Sequence, residues 1–371
     1  TANGETPYKV EHYQQNLEDD GYTLADTENL TGETDTTATA NPKTYPGFAF
    51  NGTAEGTVAS GNIAGDGSLV LKLYYTRNSY DVTYAYTGTV PADASALPEK
   101  ATVKYGAPVT VAEAATAPGY TFSGWSRNDF TMPAENVTIT GSFTANSNTE
   151  YTVRHHFQNI LDDAYDADTA MLSETLSGTT DTLTAAAAKT VAGFTAQSFQ
   201  QKNIAGDGST VVDIYYNRNS YTVTYAVTGT VDPNPNYKQA DYRFGQNVAA
   251  ETAAAKAGYD FIGWANEPAV MPANDVTATG YFVARTDTAY QVQHYKQNLE
   301  DDGFTLAETE ELTGKTDTIA TANPKTYTGF TLDRTVEGTV ASGNIAGDGS
   351  LVLKLYYTRN SYDVTYAYTG T

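Results

Sequence analysis

Cysteine is absent from all 371 residues, which removes disulfides, thiolate nucleophiles and zinc–sulfur sites together. Basic residues are scarce: 21 Lys and Arg stand against 44 Asp and Glu, a net charge of −23, with no basic block anywhere. Phosphate neutralisation therefore has no footprint, and nucleic acid is excluded as a partner. An acidic surface repels anionic lipid headgroups, and no apolar run approaches the roughly 18 residues a membrane helix needs. The expectation is a soluble chain with no membrane insertion. The opening stretch TANGETPYKV has neither the basic start nor the apolar run of a signal peptide. A surface protein without disulfides fits a bacterial envelope better than an animal extracellular space.

What is present is repetition. NIAGDGSLVLKLYYTRNSYDVTYAYTGT fills positions 62 to 89 and returns unchanged at 344 to 371, and a looser version stands at 203 to 230, so the copies begin 141 residues apart. A repeat array is the first reading of such self-similarity. Hydrophobic residues make up 40% of the chain, with 29 Tyr and 13 Phe, enough to bury small cores. The third copy stops where the earlier two continue, so the sequence is expected to be a fragment of something longer, with any anchor or export signal outside it.

Within one period two segment types alternate. The expected modules are 1–79, 148–220 and 288–361 of the first type, 80–147 and 221–287 of the second, and 362–371 as the start of a further second-type module. Period-two alternation predicts strands at their ends: Leu71 and Leu73 on one face with Lys72 opposite, and Tyr80, Val82, Tyr84 and Tyr86 together. The Asp-Gly of AGDGS predicts a tight turn joining two paired strands. Ala-rich stretches at 109–119, 180–193 and 248–258 predict short helices ending on glycine, and Pro42 interrupts the counterpart at 34–47. The element order is strand, strand, short helix, strand, strand.

The second type, with YGAPVTVAEAATAPGYTFSGW (105–125) and FGQNVAAETAAAKAGYDFIGW (244–264) followed by ITGSF and ATGYF, resembles the internalin B-repeat (Listeria-Bacteroides repeat) family. The first type, opening on YKVEHY and YTVRHHF and closing on GDGSLVLKLYY, resembles the mucin-binding-protein (MucBP) repeat family. The resemblance implies α+β, strand-dominated modules of β-grasp (ubiquitin-like) fold, a sheet packed on one helix, in surface proteins of Gram-positive bacteria. It brings no catalytic set and no cofactor.

Candidate sites are few. His12, His155 and His294 are in phase with Val10, Val153 and Val292, and a metal would need more converging ligands than the added His156 of the middle copy. They read as core residues. Trp125 and Trp264, one in each second-type module, would stack on a sugar if exposed and anchor a small core if buried; the core reading is preferred. Asp66, Asp207 and Asp348 read as turn residues, and the NLEDDG and NILDDA stretches as solvated acidic loops without the alternating spacing of a calcium site. Lys43, Lys189 and Lys325 match across copies, as do Asn62, Asn203 and Asn344, which raises an internal Lys–Asn crosslink.

The joints TRNS, NRNS, NSNTE and RTDTA are short and free of glycine, so bending is restricted. Modules of about 70 residues, each roughly 30 Å across, would form a rod on the order of 150 Å. The leading reading is a monomeric, non-enzymatic stalk of a bacterial surface adhesin; the competing one is that the modules bind host mucin glycans, against which the −23 charge would act on sialylated or sulfated chains.

Overall fold

The Ala-rich segments that read as helices are extended. In the computed structural model, which describes residues 2–228, 238–252 and 255–370, the described residues form strands, turns and irregular chain with no helix. The architecture is all-β, so the α+β class and the helix-bearing ubiquitin-like module are corrected. Residues 253–254, inside one of the expected helices, lie outside the described residues.

The physical reason lies in which alanines are buried. Ala38 and Ala40, Thr184 and Ala186, Ala320 and Ala322, and Ala115 and Ala117 are buried in pairs two residues apart. Period two belongs to an extended chain and not to a helix. A helix would need a stripe of large apolar residues to cover the sheet, and helices this short are marginal without it; alanine methyls let a flat strap lie closer.

The first-type sheet shows what the strap crosses. Strands β1 (Thr6–Gln15), β2 (Tyr22–Gly32), β3 (Thr37–Thr39), β4 (Phe48–Phe50), β5 (Ser60–Asn62) and β6 (Val70–Arg77) give a sheet ordered β2-β1-β6-β4, with β3 and β5 paired separately. β1 and β6 run parallel, Lys9 to Gln14 opposite Val70 to Tyr75, and β2 and β4 pair antiparallel on the outside. Strands Thr288–Gln297, Phe304–Gly314, Phe330–Leu332 and Val352–Arg359 repeat this order. On β6 burial alternates as the sequence predicts, with Leu71, Leu73 and Tyr75 buried against Val10, Ile63 and the strap alanines.

The second type has β7 (Ser79–Thr87), β8 (Ala101–Lys104), β9 (Pro108–Val109), β10 (Tyr120–Phe122), β11 (Phe130–Thr131) and β12 (Val137–Ala145). Its sheet is ordered β10-β12-β7-β8, and β7 and β12 are again a parallel pair. Ser220–Thr228 and Val276–Ala284 pair in the same way. Contacts divide the chain into two units, 1–154 with 173–187 and 199–213, and 155–172 with 188–198 and 214–371.

The Asp-Gly turn departs from its expectation in one respect. Gly67 has φ 72°, and the Asp66 carboxylate accepts both the Ser68 N–H (3.0 Å) and its hydroxyl (2.7 Å). Yet β5 pairs with β3, and across the turn the backbone pairs as a bridge between Val58 and Lys72 instead of a ladder. The turn redirects the chain without building a hairpin.

Tyrosine hydroxyls hold the strap down. The backbone N–H of Lys43 donates to Tyr75 Oη (2.9 Å), that of Lys189 to Tyr216 (2.8 Å) and that of Lys325 to Tyr357 (2.9 Å); in the second type Ala112 donates to Tyr84 (2.9 Å). These bonds satisfy donors that a helix would have satisfied internally. Tyr75→Phe is expected to cost the first module about 1–3 kcal/mol, because it strands the Lys43 N–H in a buried setting. Residue-resolved urea unfolding should show β1 and β6 opening at lower denaturant, with β7 and β12 unmoved.

Candidate functional site at the module joints

The candidate histidines are core residues bound to those same tyrosines. His12, His155 and His294 are fully buried, with Nδ1 2.9, 2.8 and 3.1 Å from Tyr75, Tyr216 and Tyr357 Oη. Tyr75 Oη accepts the strap amide and shares a hydrogen bond with His12 Nδ1, while His12 Nε2 lies 3.5 Å from Glu28. Lys43 Nζ sits 2.5 Å from both Asp26 and Glu28. Its position is therefore used to tie the strap to β2, while Asn62 accepts from Thr37 (3.3 Å). Lys325 is tied to Glu308 and Glu310 in the same way.

The tryptophans are half-buried in aromatic clusters. Trp125 packs on Tyr84, Tyr86 and Phe122 and donates its indole N–H to the Glu113 carbonyl (2.9 Å); Trp264 packs on Tyr225 and Phe261. The acidic loops close on themselves: Asp19 accepts from Asn16 and the Gly21 N–H, and Asp301 from Asn298 and the Gly303 N–H. His156 bonds Asp166 (2.6 Å). Among the described residues no three His, Asp or Glu gather as a metal would require.

Polar side chains and close backbone contacts converge instead at the joints, whose short, glycine-free sequences predict restricted bending. Where a first-type module meets the next second-type module, a single asparagine links their strands. Asn78 N–H donates to the Gly47 carbonyl and its carbonyl accepts from Tyr105 N–H, both at 2.8 Å. Asn219 does the same with Gly193 and Phe244, both at 2.9 Å. Arg77 closes this joint, donating to the carbonyls of Tyr105 (2.7 Å) and Gln15 (3.0 Å) with its guanidinium 4.7 Å from the Phe48 ring centre. Arg218, only 8% exposed, bonds the Gln158 and Phe244 carbonyls, both at 2.9 Å, over Phe194. Charge-assisted bonds with a stacked cation are among the stronger contacts a protein surface offers. The acidic loops add Asp20 to Lys104 (3.7 Å) and Asp163 to Arg243 (2.8 Å), exposed pairs of small individual weight.

The return joint is a contact of backbone on backbone. Asn146 N–H donates to the Gly119 carbonyl (2.8 Å), Thr180 donates its N–H to the Asn146 carbonyl (3.0 Å) and its hydroxyl to Gly119 (2.8 Å), and Tyr120 Oη bonds the Asp181 carboxylate. Gly258, Arg285, Thr316, Tyr259 and Asp317 repeat all four bonds. Asp181 and Asp317 sit at φ 61° and 60°, a conformation Asp tolerates better than most residues. Gly119 lies against Gly206 so closely that a Cβ on Gly206 would fall 2.0 Å from the Pro118 carbonyl oxygen. The signal was in the sequence as Gly-Tyr, Thr-Asp-Thr and Ala-Gly-Asp at fixed offsets.

Residues 80–150 and 221–287 match the family model described as Listeria-Bacteroides repeat domain. These ranges fall on the second-type modules, and the likeness of the first type to mucin-binding-protein repeats has no support from them. No curated protein matches the chain. Among solved structures it is similar to domains 3–4 of the Streptococcal High Identity Repeats in Tandem (SHIRT) from a cell surface protein, at 16% identity over 37% of this chain and 96% of that one, TM-score 0.16. It is similar to the Bacillus anthracis TIE protein at 9% identity over 96% of this chain and 66% of that one, TM-score 0.24. It is also similar to two B repeat units of the collagen binding protein of Staphylococcus aureus, at 11% identity over 76% and 100%, TM-score 0.13.

Gly206→Ala is expected to open the return joint while leaving both neighbouring sheets folded. Amide exchange at Asn146 and Thr180 should quicken by roughly tenfold, the factor that about 1.4 kcal/mol gives, with Leu71 and Ile139 unchanged. A second outcome concerns acid. Burial, then the Lys43 ammonium, lower the His12 pKa, opposed by Glu28 and Asp26, and Tyr75 and Tyr45 complete its surroundings. A lowered folded-state value makes the unfolded chain the better proton acceptor, so this contribution is complete above about pH 6.5 and lost as pH falls. Urea midpoints of the first module should drop between pH 7 and 5, and His12→Gln should flatten that slope.

Proposed function

We propose that the chain is a non-enzymatic spacer of a Gram-positive bacterial surface protein, a stalk segment that carries a distal binding domain away from the cell wall. The observation behind this reading is that the polar and close-packed contacts recur at the joints, in the same atoms each time, while the strands between them are filled by small cores. Arg77 and Arg218 are used to fix one module on the next, as are Gly119 with Gly206 and Gly258 with Gly347. The likeness to repeats of bacterial cell-surface proteins supports the same setting. The chain acts as a monomer in this reading, and its length is the property that repetition supplies.

Scattering and ligand screening together test it. Modules of roughly 30 Å placed in series predict a maximum dimension well above about 100 Å, together with an empty glycan array. A compact particle overturns the spacer reading. Binding of a mucin glycan by the chain would move the function into the modules themselves.

A further inference from the structure

The strand order carries an inference about force. In four modules the strand by which the chain enters and the strand by which it leaves are parallel neighbours at the centre of the sheet: β1 with β6, β7 with β12, Ser220–Thr228 with Val276–Ala284, and Thr288–Gln297 with Val352–Arg359. Parallel neighbours place the chain entry at one end of the pair and the exit at the other. Tension between the two ends then slides one strand along the other, loading every ladder bond at once instead of opening them in turn.

The pair is also the best shielded part of each module. β1 and β6 are paired over six residues, and Val10, His12, Leu71, Leu73 and Tyr75 are at most 1% exposed. Water that would replace the ladder bonds as they lengthen is kept out on that face. The Lys9 N–H adds a bond to the Leu69 carbonyl (3.0 Å). The chain passes from β6 to β7 through the single residue Asn78, whose backbone is bonded to both modules. Slack is minimal there, because no loop stands between the two load-bearing strands.

We infer that each module is a shear-loaded clamp and that the chain's further function is to bear tension along its length, as an attachment under flow or pulling would impose. The inference deepens the spacer reading and rests on it for its biological use. Resistance to forced unfolding is a matter of the unfolding rate and so can be high in modules of ordinary equilibrium stability.

The absence of cysteine makes the test clean, since two introduced thiols define the points of pull in the full chain. Gly4→Cys with Ser79→Cys loads the first module across the ends of the parallel pair. Gly4→Cys with Ser68→Cys pulls from one end, so that β1 and β6 peel apart. Gly4 has open space around it, and Ser68 and Ser79 are exposed, so both variants should retain the parent's circular dichroism. The expected result is a several-fold higher unfolding force in the first geometry, with a release close to 250 Å of chain at roughly 3.4 Å per residue. Equal forces in the two geometries overturn the clamp. The spacer reading would survive that result, because it is tested separately by scattering.

Discussion

A sheet whose first and last strands are parallel neighbours sends its chain out at the end opposite to the one by which it came in. That single constraint explains the joints. Because β6 ends where β7 begins, one asparagine is enough to pass from module to module, and Asn78 and Asn219 spend both backbone groups on the two neighbours. A module with adjacent ends on one side would need a returning loop, and a loop without packed contacts is mobile. The closed joint is thus a consequence of strand order before it is a matter of side chains.

The strap follows from the same sheet. One face of β1 and β6 must be covered, and the chain between β2 and β6 is asked to do so with alanines, threonines and two prolines. A helix would stand about 10 Å off the strands and would need large side chains to fill the gap. An extended strap lies closer, buries every second methyl, and beyond the β3–β5 pairing still needs a partner for the amide of Lys43 and its counterparts. Tyr75, Tyr216 and Tyr357 supply those partners and in turn orient His12, His155 and His294. The buried histidine is thereby a second-order result: it partners a tyrosine hydroxyl that the strap has already fixed in place.

Much of this was legible in the sequence, and the exceptions have physical causes. Alternation on β6 placed Leu71, Leu73 and Lys72 as found, and the phase of His12 with Val10 placed it in the core. Composition misled at the strap, where alanine raises helix propensity while period-two burial decides the outcome; propensity is a weak prior against tertiary packing. Ala115 with Ala117 and Ala320 with Ala322 carried the better signal, since a helix would have turned each pair to different faces. The carboxylate pairing of Lys43 and Lys325 was hidden, because it depends on the neighbouring strand lying alongside, which no local pattern displays. The joint residues were invisible singly: Arg77 and Gln15 are 62 positions apart, and only the register of β1 against β6 makes them neighbours.

The unchanged segment of positions 62 to 89 can now be read as a list of simultaneous demands. Ile63 fills the core beneath the strap, and Gly65 holds the place at which Gly206 and Gly347 meet the preceding module's glycine. Asp66 caps the turn, Leu71 to Tyr75 form the buried half of the parallel pair, and Arg77 with Asn78 closes the forward joint. Val82 begins the next core. Backward joint, core and forward joint are thus written within one short run, and a change suited to one of them acts on a chain already committed to the other two. The looser middle copy shows what each position accepts: Lys72 becomes Asp213 and Thr76 becomes Asn217 on the open face, Leu71 and Leu73 become Val212 and Ile214 in the core, and Arg218 and Asn219 keep the joint. On the open face the chemistry itself changes, at Leu71 and Leu73 only the shape of an apolar side chain does, and at the arginine and asparagine of the forward joint neither does.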